Sequence, residues 1–305
     1  MTPSGGLWNG HRVPFTLLGG YLGAGKTTVV NHVVRNPLGR RLVALVNDVA
    51  AINVDAALIA DHVGTTLSLT NGCVCCAIAD DFAQTLEQIR AMPEPPDHVL
   101  MELSGVGEPA RVAPWANTAG FRLDGIVVVA DTDQIVELAD RDYIGDTIAA
   151  QLASADLVLS TKADLAADGG AAARSLIRSI TTAPIIEVIN GVIDADVVLG
   201  LDPPRTDPSR TVLPRMVPGT NRHRAAPVGR YETSIVDVGA ATLAELEHLL
   251  VGLPTDVIRA KGLVQCSDQV VPIEAHAVGR RRAVRRRGDL DLSRADNRLV
   301  VIRLA

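Results

Sequence analysis

Three of the four cysteines fall within four positions of one another, Cys73, Cys75 and Cys76 in the stretch TNGCVCCA. Sulfur at that density suits a disulfide staple, a redox dithiol or a soft-metal site. Thiolates favour Zn²⁺, Cu⁺ or Co²⁺, and two or three of them with a nitrogen, an oxygen or water complete a tetrahedral shell. Cys75 and Cys76 are adjacent and cannot both point the same way from an extended strand, so the segment is expected to be a turn entering a helix near Ala79. A helix N-terminus also lowers thiol pKa values and favours metal binding. Cys266 stands alone and reads as a small core residue.

A second group of residues has phosphate chemistry. From Gly20 to Thr27 the chain reads G-x-x-x-x-G-K-T, followed by Thr28. Gly20, Gly23, Ala24 and Gly25 give a loop whose amides can converge on phosphate oxygens at a helix N-terminus, Lys26 reaches the β- and γ-phosphates, and the Thr27 hydroxyl binds Mg²⁺. Glu102 closes the apolar run HVLMEL, where a carboxylate can hold Mg²⁺ through water, and the amide of Gly105 can approach a γ-phosphate and sense its loss. Thr161-Lys162-Ala163-Asp164 follows the run DLVLS, at the place of the usual Asn-Lys-x-Asp guanine reader. There Asp164 would accept hydrogen bonds from guanine N1 and N2 while the Lys162 stem covers the ring, so GTP is the expected nucleotide. Thr161 is a departure from the asparagine and is expected to weaken base affinity.

Positioning these groups requires strands that end where the chemistry begins. Short apolar runs (VPFTLLGG, RLVALVN, TLSLT, HVLMELSG, LDGIVVVAD, ADLVLSTKAD, APIIEVIN) alternate with helical stretches such as KTTVVNHVVR, DDFAQTLEQIRAM and IGDTIAAQLASA. The expected fold class is α/β, a P-loop NTPase with a doubly wound, mainly parallel sheet over residues 1–200 and ligands at the carboxyl ends of its strands. Residues 201–228 hold six prolines and no apolar periodicity, and read as a Pro/Arg-rich linker. Residues 229–305 read strand, helix, strand, strand, strand: a smaller C-terminal α+β domain, a split βαβ arrangement lacking its last helix.

Composition narrows the partners. Hydrophobic residues make up 47% of the 305 and aromatic ones 3%, so the core must be mainly aliphatic. The first 200 residues carry 23 acids against 12 bases, which argues against nucleic acid as the partner of that domain. The run GRRRAVRRRG at 279–288 is expected to be a solvated turn or strand end, RNA, a membrane or an acidic protein being the other readings. No apolar run approaches the ~18 residues of a membrane span. The N-terminal stretch lacks a basic start followed by an apolar segment. The expectation is a cytoplasmic protein, in a compartment where structural disulfides are disfavoured. Of 29 basic residues only Lys26, Lys162 and Lys261 are lysines, and the first two lie in the nucleotide motifs. The seven histidines are scattered, each expected to be a surface or hydrogen-bonded residue.

Taken together, GYLGAGKTT (20–28), NGCVCC (71–76), ELSGVGEP (102–109), AQLASADLVLSTKADL (150–165) and RAKG (259–262) resemble the CobW-like family of P-loop GTPases, many of which are metal chaperones or metal-enzyme maturation factors. The resemblance spans nearly the whole chain and implies a slow GTPase. It would carry a transition metal at Cys73, Cys75 and Cys76, zinc first and cobalt for cobalamin synthesis second, and release it to a client metalloprotein as GTP is turned over. The alternative is a GTP- and metal-sensing regulator acting through protein contacts, for instance with stress or translation machinery. A small-molecule kinase is disfavoured because no Arg-rich lid segment lies in the first domain. In the switch stretch N47-D48-V49-A50-A51, where the family typically shows Asn-Glu-Phe-Gly-Glu, Asp48 keeps the first acid as a metal or Mg²⁺ ligand but Ala51 replaces the second. An altered hydrolysis rate or metal preference is the expectation.

Overall fold

The structure, a computed structural model, describes residues 7–47, 65–69, 78–200 and 231–304. Within these, the first sheet has seven strands: β1 (Val13–Gly19), β2 (Leu42–Asn47), β3 (Thr65–Leu69), β4 (His98–Glu102), β5 (Phe121–Asp131), β6 (Leu157–Thr161) and β7 (Ile185–Val188). Their order is β3-β2-β4-β1-β5-β6-β7, and every pairing is parallel. The helices between them are α1 (Lys26–Arg35), α2 (Ile78–Arg90), α3 (Pro109–Val112), α4 (Ile135–Ala139), α5 (Ile144–Ser154), α6 (Ala171–Ile180) and α7 (Ala195–Leu199). A parallel sheet connected in this way is covered on both faces, which is why β1 and β5 are buried along their whole length and mostly apolar.

Successive residues serve opposite layers. Leu17 joins Leu86, Ile89, Met101 and Leu152 on one face, whereas Leu18 joins Val29, Val33, Leu100 and Leu159 on the other. All three phenylalanines of the chain meet in the first layer, Phe15 standing edge-on to Phe82 and Phe121. Elsewhere the core is aliphatic, as the composition requires. Helix α1 buries Val29, Val30, Val33 and Val34 against the sheet. Valine is a poor helix former, so this helix owes its stability to that burial and not to propensity.

The second sheet is antiparallel, in the order β11-β10-β9-β12-β8. It consists of β8 (Tyr231–Asp237), β9 (Val257–Val264), β10 (Ile273–Val278), β11 (Arg281–Arg286) and β12 (Arg298–Leu304), with helix α8 (Leu243–Val251) after β8. Because β12 lies between β8 and β9, the β8–α8–β9 unit is the split βαβ arrangement expected from the sequence. Helix α8 opens on a capping box, Thr242 and Glu245 exchanging hydrogen bonds, and packs Leu246 and Leu250 onto Val264, Ile273 and Leu299. Cys266 is buried in the same cluster, as expected, and burial pushes its thiol pKa up. The linker 201–228 lies outside the described residues.

The arginine run corrects its expectation. It is neither a turn nor only a strand end: residues Arg281–Arg286 form the edge strand β11, paired with β10 over its full length, and its side chains are half-buried except for Arg286, which is exposed. Arg281 reaches Asp156 at 2.8 Å, Arg285 donates to Leu123 O at 3.3 Å, and Arg280 donates to Ala153 O, all on the first sheet's side. Six arginines in eight positions hide the strand pattern, since guanidinium groups can pair with acids and carbonyls in a seam as well as with water.

That seam between the two sheets is built of buried charge. Arg259 in β9 is 1% exposed, donates from Nη1 to Asp124 at 2.8 Å, and donates to Val197 O and Val198 O, carbonyls of the last turn of α7 that the helix itself leaves unsatisfied. Beside it Arg122 pairs with Glu274 at 3.1 Å, Lys261 stands 3.5 Å from Glu274, and Arg287 closes on Glu274 at 2.8 Å. Burial alone would raise the carboxyl pKa values of Asp124 and Glu274. The surrounding cations outweigh it and hold both well below the usual range. Lys261 is lowered by burial to about 7, Glu274 only partly opposing the effect.

His276 is also in the seam, its Nε2 lying 3.0 Å from Asp124 O, and burial lowers its pKa to about 4. The unfolded chain therefore binds a proton near pH 6.5 that the folded chain refuses until about pH 4. Stability present above pH 6.5 is expected to fall as pH drops through that window, by roughly 3 kcal/mol for this group. Urea unfolding from pH 7 to pH 4 measures it. His276→Gln, a neutral side chain with a donor, is expected to flatten the slope over pH 4–6.5, and an unchanged slope would assign it to other groups.

Candidate nucleotide site at the carboxyl edge of the parallel sheet

All seven parallel strands end at one edge, and the residues of the phosphate and base motifs are carried there. The chain leaves β1 at Gly19 into the glycine loop and enters α1 at Lys26. Gly20 has a φ of +135°, and a Cβ there would lie 2.2 Å from Val129 O, so the loop can lie this close to β5 only with glycine at that position. Lys26 is buried and its Nζ donates to Tyr21 O at 3.0 Å, which folds the side chain back across the loop. Gly23 and Thr28 are exposed, Ala24 is buried, and Gly25 caps α1 in the left-handed conformation.

Two residues 75 positions apart meet here. Thr27 Oγ1 donates to Glu102 Oε1 at 2.8 Å, bringing the first turn of α1 onto the end of β4. A hydroxyl and a carboxylate in contact at a helix N-terminus form a hard-oxygen donor set, which fits Mg²⁺. Past Glu102 the chain continues against the loop: Leu103 N donates to Leu18 O at 2.9 Å, and Gly107 N closes a turn onto Ser104 O at 2.8 Å. Gly105 is pressed on the glycine loop so closely that a Cβ would lie 2.7 Å from Leu22 N.

At the end of β6 the sequence departure finds its physical role. Thr161 Oγ1 donates to Ala24 O at 2.8 Å, tying β6 to the glycine loop, with Ala130 O a second acceptor at 3.1 Å. Lys162, at a φ of +59°, donates to Gly23 O at 3.0 Å and to Asp131 Oδ2 at 2.7 Å. Asp164 is exposed at the same edge. The role of Asp131 was not read from the sequence. It is the last residue of β5, and its signal is an acid closing an otherwise apolar run.

Cys73, Cys75, Cys76 and Asp48 lie outside the described residues. Their flanks do not. The chain leaves β3 at Leu69 and resumes in α2 at Ile78, one residue from the expected helix start. Leu69 is in register with Asn47 of β2, and Val46 of β2 with Glu102 of β4. Two interstrand spacings, about 10 Å, thus separate the strand preceding the cysteines from the strand bearing Glu102. Among the described residues no group of three or more His, Cys, Asp or Glu side chains is arranged to hold a metal ion, and no helix is long and apolar enough to cross a membrane.

Comparison with known proteins agrees with this geometry. Residues 14–187 match the family described as CobW/HypB/UreG, nucleotide-binding domain, and residues 233–304 the cobalamin synthesis protein cobW C-terminal domain. A zinc chaperone CobW of Sinorhizobium is 28% identical, the match spanning 90% of this chain and 87% of the relative. The zinc-regulated GTPase metalloprotein activator 1 of Schizosaccharomyces pombe is 33% identical over 60% of this chain and 47% of its own length. The zinc chaperone YjiA of Escherichia coli is 30% identical over 60% of this chain and 59% of its own. With the glycine loop, the Thr27–Glu102 contact and the 161–164 stretch after β6 gathered at one sheet edge, the chain belongs to the CobW/HypB/UreG family and is a P-loop GTPase.

Proposed function

We propose that this GTPase is a metallochaperone. It binds a transition metal through Cys73, Cys75 and Cys76, zinc ahead of cobalt, and releases it to a client metalloprotein in step with GTP turnover. The observation that carries the reading is the Thr27–Glu102 contact, made at the sheet edge from which the cysteine segment departs. The relatives named zinc chaperones support the choice of cargo.

In this reading Gly20 to Thr28 cradle the phosphates, with Lys26 neutralising the β- and γ-phosphates. Thr161 holds the loop, while Lys162 and Asp164 read the guanine. Thr27 directly and Glu102 through water would hold Mg²⁺, which when bound neutralises charge on the phosphate oxygens. Gly105 follows the γ-phosphate, and its movement after hydrolysis is felt by neighbouring strands of the same edge. The thiolates of Cys73, Cys75 and Cys76, which follow β3 in sequence, then change their hold on the ion.

Competition titrations of zinc against a chromophoric chelator, with Mg²⁺ and either a non-hydrolysable GTP analogue or GDP present, test the coupling. The affinities are expected to differ by about 5- to 150-fold, the usual range of coupling between two sites. Equal affinities would refute it. Transfer of zinc to an apo-enzyme client, faster with GTP than with its analogue, separates delivery from a purely regulatory contact.

A further inference from the structure

Behind the loop that follows Glu102 lies Gln151, a polar side chain the nucleotide motifs do not use. It sits in α5 and is only 1% exposed. Its Nε2 donates to Gly107 O at 2.8 Å and to Gly105 O at 3.1 Å, so both hydrogens of one amide hold two carbonyls two residues apart. These carbonyls belong to the loop that presses Gly105 onto Leu22 and turns back through Gly107 N to Ser104 O. Fixing the carbonyls of Gly105 and Gly107 restrains the peptide planes on the C-terminal side of both glycines, and so the backbone around Gly105.

We infer that Gln151 is a positioning residue for GTP hydrolysis, its amide setting the shape of the 103–108 loop that attends the γ-phosphate. The inference rests on the reading of that loop as phosphate-sensing. A buried carbonyl that loses its donor costs about 1–3 kcal/mol, so the loop without Gln151 must rearrange to find another partner. Two glycines in three positions allow such rearrangement, which is why the loop needs an external clamp. The clamp stands on α5, a helix whose Ile148 and Leu152 are fixed in the core, so the reference point is rigid.

Gln151→Met keeps the length and removes both donors. Its kcat for GTP is expected to fall about 10- to 50-fold while GDP affinity stays within about twofold and thermal unfolding remains cooperative. Gln151→Glu supplies a second, independent readout. As a carboxylate it cannot donate, but when protonated it offers one hydrogen, so its kcat is expected to rise as pH falls from 8 to 6, unlike that of the unaltered chain. This variant carries the test if the methionine variant does not fold. An unchanged kcat in Gln151→Met, equal losses for GTP and GDP in a folded variant, or a flat pH profile in Gln151→Glu would each overturn the inference. Gly105→Ala tells the two levels apart. If it leaves turnover intact, the phosphate-sensing loop itself is misread; if it slows turnover while Gln151→Met does not, only the role of Gln151 falls.

Discussion

Glu102→Gln is expected to hydrolyse GTP on the order of a hundred- to a thousandfold more slowly than the unaltered chain at saturating Mg²⁺, the scale seen when one electrostatic partner of a developing charge is removed. The exchange is isosteric, and Glu102 is 5% exposed at the end of β4, with Thr27 donating to Oε1 at 2.8 Å. An amide oxygen can still accept that hydrogen bond, so the junction between α1 and β4 should persist and the melting temperature should move little. What disappears is the negative charge from a hydroxyl–carboxylate pair whose oxygens suit a divalent cation. The Mg²⁺ concentration for half-maximal turnover is therefore expected to rise together with the fall in kcat. Single-turnover hydrolysis across a Mg²⁺ series measures both. A turnover within about threefold of the original would remove Glu102 from the mechanism.

The second large effect is on stability. Arg259→Met fills nearly the same volume but leaves Asp124 as a buried carboxylate deprived of its 2.8 Å partner, and leaves Val197 O and Val198 O without the guanidinium. Breaking a buried pair by removing one partner costs about 3–5 kcal/mol. Guanidinium unfolding is expected to show that loss as an earlier midpoint, with the second sheet releasing before the first. Arg259→Lys keeps a charge but not the planar fork that serves three acceptors at once, and is expected to fall between the two. The double variant Arg259→Met with Asp124→Asn should recover part of the loss, because the charge left behind is removed as well. A midpoint unchanged in Arg259→Met would mean that the seam contributes nothing to holding the sheets together.

The first sheet was legible because its strands are largely apolar and four of them end in punctuation: Gly19, Glu102, Asp131 and Thr161. Motif order pointed to Thr27 and Glu102 as ligands of one cation, but their direct contact is a finding of the structure. The strand β11 did not, since arginine has neither the alternation nor the apolar character by which a half-buried strand is recognised. No sequence pattern says that Arg259 will cap a helix about 60 residues upstream, because the partner acceptors are backbone carbonyls, which every residue carries. Gln151 escaped for the same reason. Its two partners are carbonyls, and its helix reads as an ordinary amphipathic segment. Thr161 was read as a weakened base contact, and the structure gives it a bond to the glycine loop in addition.

Strand β5 is eleven residues long, about twice the common strand length, and its two acids lie seven residues apart, about 23 Å in extended chain. Asp124 sits among the buried arginines and Asp131 beside Lys162. One continuous backbone thus belongs to both neighbourhoods. Its amides form a graduated scale, so hydrogen exchange read along this single strand reports separately when the second sheet lets go and when the nucleotide edge opens.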